Sequence, residues 1–375
     1  MSRSRLIAAV LAAGAFAVTP TMAQETVRVG VIEILSGPSA AYGTAILAGL
    51  QMGLDEINQA GGVLGGKKIE LIVEDSAGNK DQAVNAARKL IGRDKVTLII
   101  GPTISNEMFA VGPVTNERKI VTVGTSTTAK GITDIGPYIF RTSLPEADVI
   151  PVTLKTAQTK FGIKTVAMMY ANDDAFSKSG FDSMKEAVDK LGLKIATIET
   201  FGSKDTDFSA QLTKIKGMNV DAIVISALIE PTSGVVLQAR QLGIPMSVRL
   251  IGGNGAISSK LGEIAGDAAD GMLVGSPWFI GKDDVLNTKF VAEYRKRNNK
   301  DPDQFAAQAY DAMHIVAKAL DTAGSSDSDK IREALLKVSH FGVTGPFTFT
   351  PGRDPASAEG VVVLTVKAGK FQLLQ

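Results

Sequence analysis

The sequence predicts an α/β protein made of two units of similar plan, and three observations carry that prediction. Apolar, β-branched runs alternate with stretches of helical spacing almost throughout the chain. The rhythm pauses and restarts after "YIFRTSLPEAD". The length of 375 residues also exceeds what a single hydrophobic core usually holds.

Taken in order, residues 27–32 read as a strand, 42–59 as a helix and 68–74 as a second strand. Residues 81–93 follow as a helix, with Ala83, Ala86, Ala87, Leu90 and Ile91 at helical spacing. The run "VTLIIG" at 96–101 is apolar almost without interruption, as expected of a parallel strand covered on both faces. The second unit has strands at 165–170, 194–201, 222–226 and 248–252, with helices at 178–191, 208–216 and 232–242 between them. A helix-rich section at 284–337 precedes "GPFTFT" and "GVVVLTV", which return to strand character and complete the earlier sheets.

The N-terminus has the order of a secretory signal peptide. Arg3 and Arg5 precede an apolar run at 6–18, and Thr21-Met22-Ala23 follows, so cleavage after Ala23 and export are expected. The run is far short of the roughly 20 residues of a spanning helix. Without Arg3 and Arg5, the 40 Lys+Arg fall to 38 against 39 Asp+Glu, a balance with no general attraction for nucleic acid or anionic lipid. The chain has no cysteine, so its stability is expected to come from packing.

Enzyme chemistry finds little support. The two histidines, His314 and His340, have no cysteine to join in a transition-metal cluster, and His314 lies in the helical pattern "AAQAYDAMHIVAKAL". No Gly-x-Ser-x-Gly elbow or Walker loop occurs. "RLIGGNGAISSK" at 249–260 resembles a dinucleotide loop, but Ser258 stands at the third glycine position. No metal, cofactor or catalytic residue is expected.

In open parallel sheets the carboxyl ends of the strands face the ligand crevice. The first strand leads into "SGPSAAYG" with Tyr42, the third into "GPTISNE" with Ser105 and Asn106, and "IVTVGTSTTAKGIT" supplies Ser126, Thr127 and Thr128. Hydroxyls, backbone N–H groups and a helix N-terminus brought to one place make a cradle for a small anion. The same residues also suit simple capping of helices and turns.

From about residue 27 to 366 the chain resembles the periplasmic solute-binding proteins of branched-chain amino acid ABC importers. The likeness rests on "SGPSAAYG", "DEINQAGGVLGGKKIELIVEDSAGN", "DFSAQLTKIK", "IAGDAADGMLV" and "AAQAYDA". It implies the type I periplasmic binding protein fold: two Rossmann-like lobes with parallel-rich sheets joined by three crossings. The crossings are expected near 141–144, 275–278 and 343–347. The implied division is a signal peptide at 1–23, one lobe from 26–142 and 277–342, and another from 143–276 and 343–375. A periplasmic monomer is implied that closes on a small carboxylate and docks on an ABC permease.

By the same likeness, Ser105 holds a ligand carboxylate, Thr128 and Ser126 assist it, and Tyr42 contacts the solute from the first loop. Two positions depart from the pattern. Phe176 stands where the family has a tyrosine, and Asn254 where amino-acid binders have the glutamate that pairs with the ligand ammonium. The usual disulfide pair is replaced by Gly78 and Ile104. A buried ammonium without a carboxylate partner is costly. The expected ligand is therefore an acid lacking an ammonium, such as a benzoate or hydroxycinnamate, with Tyr42, Phe176 and Trp278 as stacking surfaces, packing at the crossing being the alternative role for Trp278. The alternative is an aliphatic branched-chain amino acid whose ammonium pairs with Glu33, Asp173 or Glu230. A ligand-sensing receptor domain is a further alternative.

Overall fold

The computed structural model describes residues 26–356 and 359–375; the expected signal peptide lies outside the described residues. Five parallel strands form the first sheet: β1 (Thr26–Glu33), β2 (Lys68–Asp75), β3 (Leu98–Ile100), β4 (Thr122–Gly124) and β5 (Ile139–Arg141), in the order β2-β1-β3-β4-β5. Helices cover both faces, which is why its strands read as near-continuous apolar runs. Val29 and Val31 share a core with Ile46 and Leu50 of α1 (Ala40–Gln59). On the opposite face Ile32 and Ile99 pack with Ala83 and Ala87 of α2 (Lys80–Lys89), which runs on into a π turn at Leu90–Asp94.

After β5 the chain passes through α4 (Glu146–Phe161) into a second sheet. Its parallel strands are β6 (Thr165–Ala171), β7 (Lys194–Phe201), β8 (Ala222–Ser226), β9 (Arg249–Gly252) and β10 (Leu273–Ser276), in the order β10-β9-β8-β6-β7. Two late strands complete it beside β10. These are β13 (Val362–Lys367) and β14 (Lys370–Leu373), both antiparallel to their neighbours. They are preceded in the chain by the hairpin β11 (Ser339–Gly342) and β12 (Gly345–Thr348). Among the described residues no helix is long and apolar enough to cross a membrane.

Local chemistry moves some element ends away from the sequence expectation. The helix expected from 178 is α5 (Ala175–Lys190), which starts three residues earlier because the Asp174 carboxylate accepts the Ser177 N–H at 2.8 Å as an N-cap. After β10 the chain returns through α9 (Val285–Asn298), and α10 (Gln304–Ala323) then lies against α1. At Gly49 of α1 an added Cβ would sit 2.1 Å from the Ala306 carbonyl oxygen, so only glycine allows this approach.

The end of the chain departs more clearly. The family likeness implies that everything from 343 onward belongs to the second lobe. Instead the N–H groups of Val343 and Thr344 donate to Asp311 of α10, at 2.9 and 2.8 Å. Phe349 meets Phe140 of β5 edge-on at 5.1 Å, and buried Arg141 donates to Asp354 at 2.6 Å. The "GPFTFT" strand pairs with its own neighbour β11 instead of joining a main sheet, so the chain reaches the second sheet only at β13.

Candidate functional site

Strand order reverses between β1 and β3 in the first sheet and between β6 and β8 in the second. The loops that leave these carboxyl ends face one another, as expected for ligand crevices at such points. Between them lies a small cavity. Tyr42, Thr103, Ile104, Ser105 and Ser126 line it from the first side, and Phe176, Leu228, Asn254 and Gly255 from the second. Phe305 of α10 closes it.

The first side is hydroxyl-rich. Ser105 opens α3 (Ser105–Glu117), and among the described residues no side chain caps that N-terminus, which leaves its positive end to the cavity. The Ser105 hydroxyl accepts the Ala129 N–H at 3.2 Å and keeps its own proton for another partner. Ser126 donates its hydroxyl proton to the Thr103 carbonyl. Thr103 in turn accepts the Ile34 N–H at 2.8 Å and donates to Glu33. Burial pushes the Glu33 carboxyl well above its ordinary value, against the opposing hydrogen bond from Thr103.

The second side is aromatic and amide. Gly255 presses the 253–258 loop on Phe176: an added Cβ would stand 2.6 Å from the Ala227 carbonyl oxygen and 3.0 Å from the Phe176 ring. Asn254 donates its backbone N–H to Glu146 at 2.8 Å, while its side-chain oxygen accepts from Gln304 at the start of α10. Burial pushes the Glu146 carboxyl up to about 7. Tyr42 spans the two sides. Its ring meets Phe305 edge-on at 4.9 Å and its hydroxyl donates to the Gly255 carbonyl.

Of the residues singled out in the sequence, Tyr42, Ser105, Ser126, Phe176 and Asn254 come together around the cavity. Asn106 is not among the lining residues; its side-chain oxygen accepts the Ala175 N–H at 3.0 Å. Thr128 lies just behind: its carbonyl accepts the Glu146 N–H at 3.2 Å, and its buried hydroxyl has no partner among the described residues. Thr127 turns away, its hydroxyl 2.1 Å from where a Cβ on Gly124 would be and its carbonyl bound by Arg141.

Trp278 is not a wall of this cavity. Its indole N–H donates to Asn287 at 2.8 Å and its ring packs edge-on against Phe290. The three acids considered as ammonium partners also stand off the lining. Glu33 is behind Thr103, Asp173 accepts the Ser203 N–H at 2.7 Å, and Glu230 accepts the Ser39 hydroxyl at 3.5 Å. Among the described residues, the lining contains no carboxylate and no cation.

Residues 26–370 match the family described as periplasmic binding protein. This chain belongs to the periplasmic binding protein family. A leucine-, isoleucine-, valine-, threonine- and alanine-binding protein of Pseudomonas aeruginosa is 32% identical over 353 residues, covering 94% of this chain and 92% of the relative. In the branched-chain amino acid binding protein LivJ of Streptococcus pneumoniae, solved with isoleucine, the fold superposes with a TM-score of 0.87 at 29% identity, over 93% of this chain and 98% of that one. A solute-binding protein of an ABC transporter from Rhodopseudomonas palustris BisB5, solved with 3,4-dihydroxybenzoic acid, gives 0.84 at 26% identity, over 92% and 95%. The family and these relatives are solute-binding proteins of ABC transporter type, not enzymes.

Five contributors to this binding protein's cavity escaped the sequence reading: Thr103, Ile104, Leu228, Gly255 and Phe305. Gly255 lies in the glycine-rich "RLIGGNGAISSK" segment and Thr103 inside the "GPTISNE" turn, so both carry a local signal. Phe305, far along the chain, has only its place before "AAQAYDA". Glu146 could have been suspected from "LPEAD", an acid opening a helix just after a crossing.

Proposed function

We propose that this protein is the periplasmic solute-binding component of an ABC importer, which closes two lobes on a small carboxylate and hands it to a membrane permease. The carboxylate sits at the Ser105 hydroxyl and the α3 N-terminus, with Ser126 and Thr128 beside it. Phe176 and Phe305 flank the body of the ligand, Tyr42 latches the two lobes, and Asn254 meets the far end. Ligand that touches both sides shifts the population toward the closed form.

An aromatic acid of the benzoate or hydroxycinnamate type is favoured over an amino acid. The observation that carries this is the neutral lining: among the described residues no carboxylate lines the cavity, Glu146 standing behind the Asn254 backbone, and burying an unpaired ammonium is costly. The relative bound to 3,4-dihydroxybenzoic acid agrees with this choice. A branched-chain amino acid is the second reading, favoured by the Pseudomonas relative and by the isoleucine complex.

A thermal-shift screen of the mature protein with aliphatic amino acids, benzoates and hydroxycinnamates tests the choice. A ligand at about 100 times its dissociation constant stabilises by roughly 2.7 kcal/mol. Stabilisation by leucine or valine without any by aromatic acids would transfer the reading to amino acids.

A further inference from the structure

The inner cavity is about 20 Å³, less than a benzoate or valine fills, so on the proposed reading the two sides part to admit the ligand. Beside it lies a chamber of about 930 Å³, within the range of small-molecule sites. Ala41 and Thr44 of α1 form one of its walls, Ile257 another, and Trp278, Tyr294 and Phe371 add aromatic surface. Two pairs of its charged side chains are engaged with each other, Lys260 with Glu263 and Arg295 with Asp301.

A pair of amides marks the partition between the two spaces. Gln304 lines the chamber, Asn254 lines the inner cavity, and the two side chains hydrogen-bond to each other. Nearby, Ala41 lines the chamber while its chain neighbour Tyr42 lines the cavity. Where the two amides meet, the partition is made of side chains, with α1 at Ala41 and Tyr42 and α10 at Gln304 and Phe305 flanking it. The two amides can swing aside by rotation about their side-chain bonds.

We propose that the chamber is a second subsite, which receives the apolar tail of an extended carboxylate ligand. The head is held at Ser105, the chain passes between Asn254 and Gln304, and the tail lies against Ile257, Trp278 and Phe371. The natural solute then belongs to the class of carboxylates carrying an aryl or alkyl extension of several carbons. This rests on the reading of the inner cavity as the carboxylate site, and it holds for either head-group chemistry.

Calorimetric titration with two matched pairs tests it: benzoate with 4-butoxybenzoate, and valine with 2-aminooctanoate. In the wild-type protein the extended member of whichever pair binds is expected to bind at least about tenfold more tightly, the gain from burying about two methylenes. Thr44 is exposed on α1, so Thr44→Trp narrows the chamber without entering the core. It is expected to erase that preference and to leave the short ligand within about twofold. Gln304→Ala, which removes one leaf of the partition, is expected to widen the preference.

A wild-type preference for the short members, or a Thr44→Trp loss shared equally by short and long ligands, overturns the subsite while the inner carboxylate site stands. If no member of either pair binds, the inner-site reading and the subsite fail together.

Discussion

The two sides of the cleft solve different problems. On the first side, Ser105 keeps a hydroxyl proton free at the uncapped start of α3, with Ser126 and Thr103 lining the wall beside it. This makes an anion site from neutral dipoles, suited to a carboxylate of any origin. On the second side the lining is Phe176, Leu228, Gly255 and one amide, Asn254. On the proposed reading this side meets the body and far end of the solute. Affinity for the common head group and choice among ligands are, on that reading, lodged on separate sides of the cleft, so each can be altered alone.

The largest expected effect comes from making the second side resemble an amino-acid binder. Asn254→Glu places a carboxylate opposite the far end of the ligand; an aromatic acid is expected to lose about 3 kcal/mol or more of binding, and leucine or valine to gain. Titration of both classes against this variant reads the outcome, and equal losses for both would break the proposed division of labour.

Close in size is a pH effect seated behind the same amide. Burial raises the Glu146 carboxyl from 4.5 to about 7. The folded chain therefore keeps a proton between those values that the unfolded chain has released. Stability from this source is fully present below pH 4.5 and is lost as pH rises through about 7, roughly 3 kcal/mol in all. Glu107, behind the first side, is raised to about 7 by burial in the same way, so both sides contribute to one slope. Melting temperatures between about pH 5 and about pH 8 should fall in the wild type, and less steeply in Glu146→Gln. An unchanged slope in the variant would show that Glu146 is already charged when folded.

On the first side, Ser105→Ala removes one donor to the carboxylate and is expected to weaken every carboxylate ligand alike, by about 2 kcal/mol. A loss confined to one ligand class would place selectivity on the wrong side. The smallest effect is expected from Phe176→Leu, about 1 kcal/mol for an aromatic ligand and less for an aliphatic one, from lost ring contact. Comparison of benzoate with valine in that variant measures it.

Much of the first side was legible in the sequence. Ser105 and Ser126 follow apolar strands directly, and the rule that strand ends face the crevice needs no tertiary detail. Tyr42, Phe176 and Asn254 followed from the family likeness, and the structure brings them to the same cavity. Thr127 was misjudged because neighbouring residues in a turn point in different directions, and the Arg141 contact that holds its carbonyl comes from another strand. Trp278 was taken as a stacking wall, but its indole N–H has a partner nine residues on, in a helix whose placement the sequence does not specify. Glu33 and Glu230 sit at strand and helix ends, where position alone cannot say whether a carboxylate looks into the cleft or away from it.

The sequence by itself determined the alternation of strands and helices, the restart that makes two units, and the hydroxyls at the first sheet's edge. Each of these depends on spacing or on neighbours a few residues apart. Only the tertiary structure decided that residues 343–354 stay with α10 and β5, that Gln304 holds Asn254, and that no carboxylate among the described residues lines the cavity. These depend on contacts between residues 32 to 213 positions apart in the chain, which local pattern does not encode.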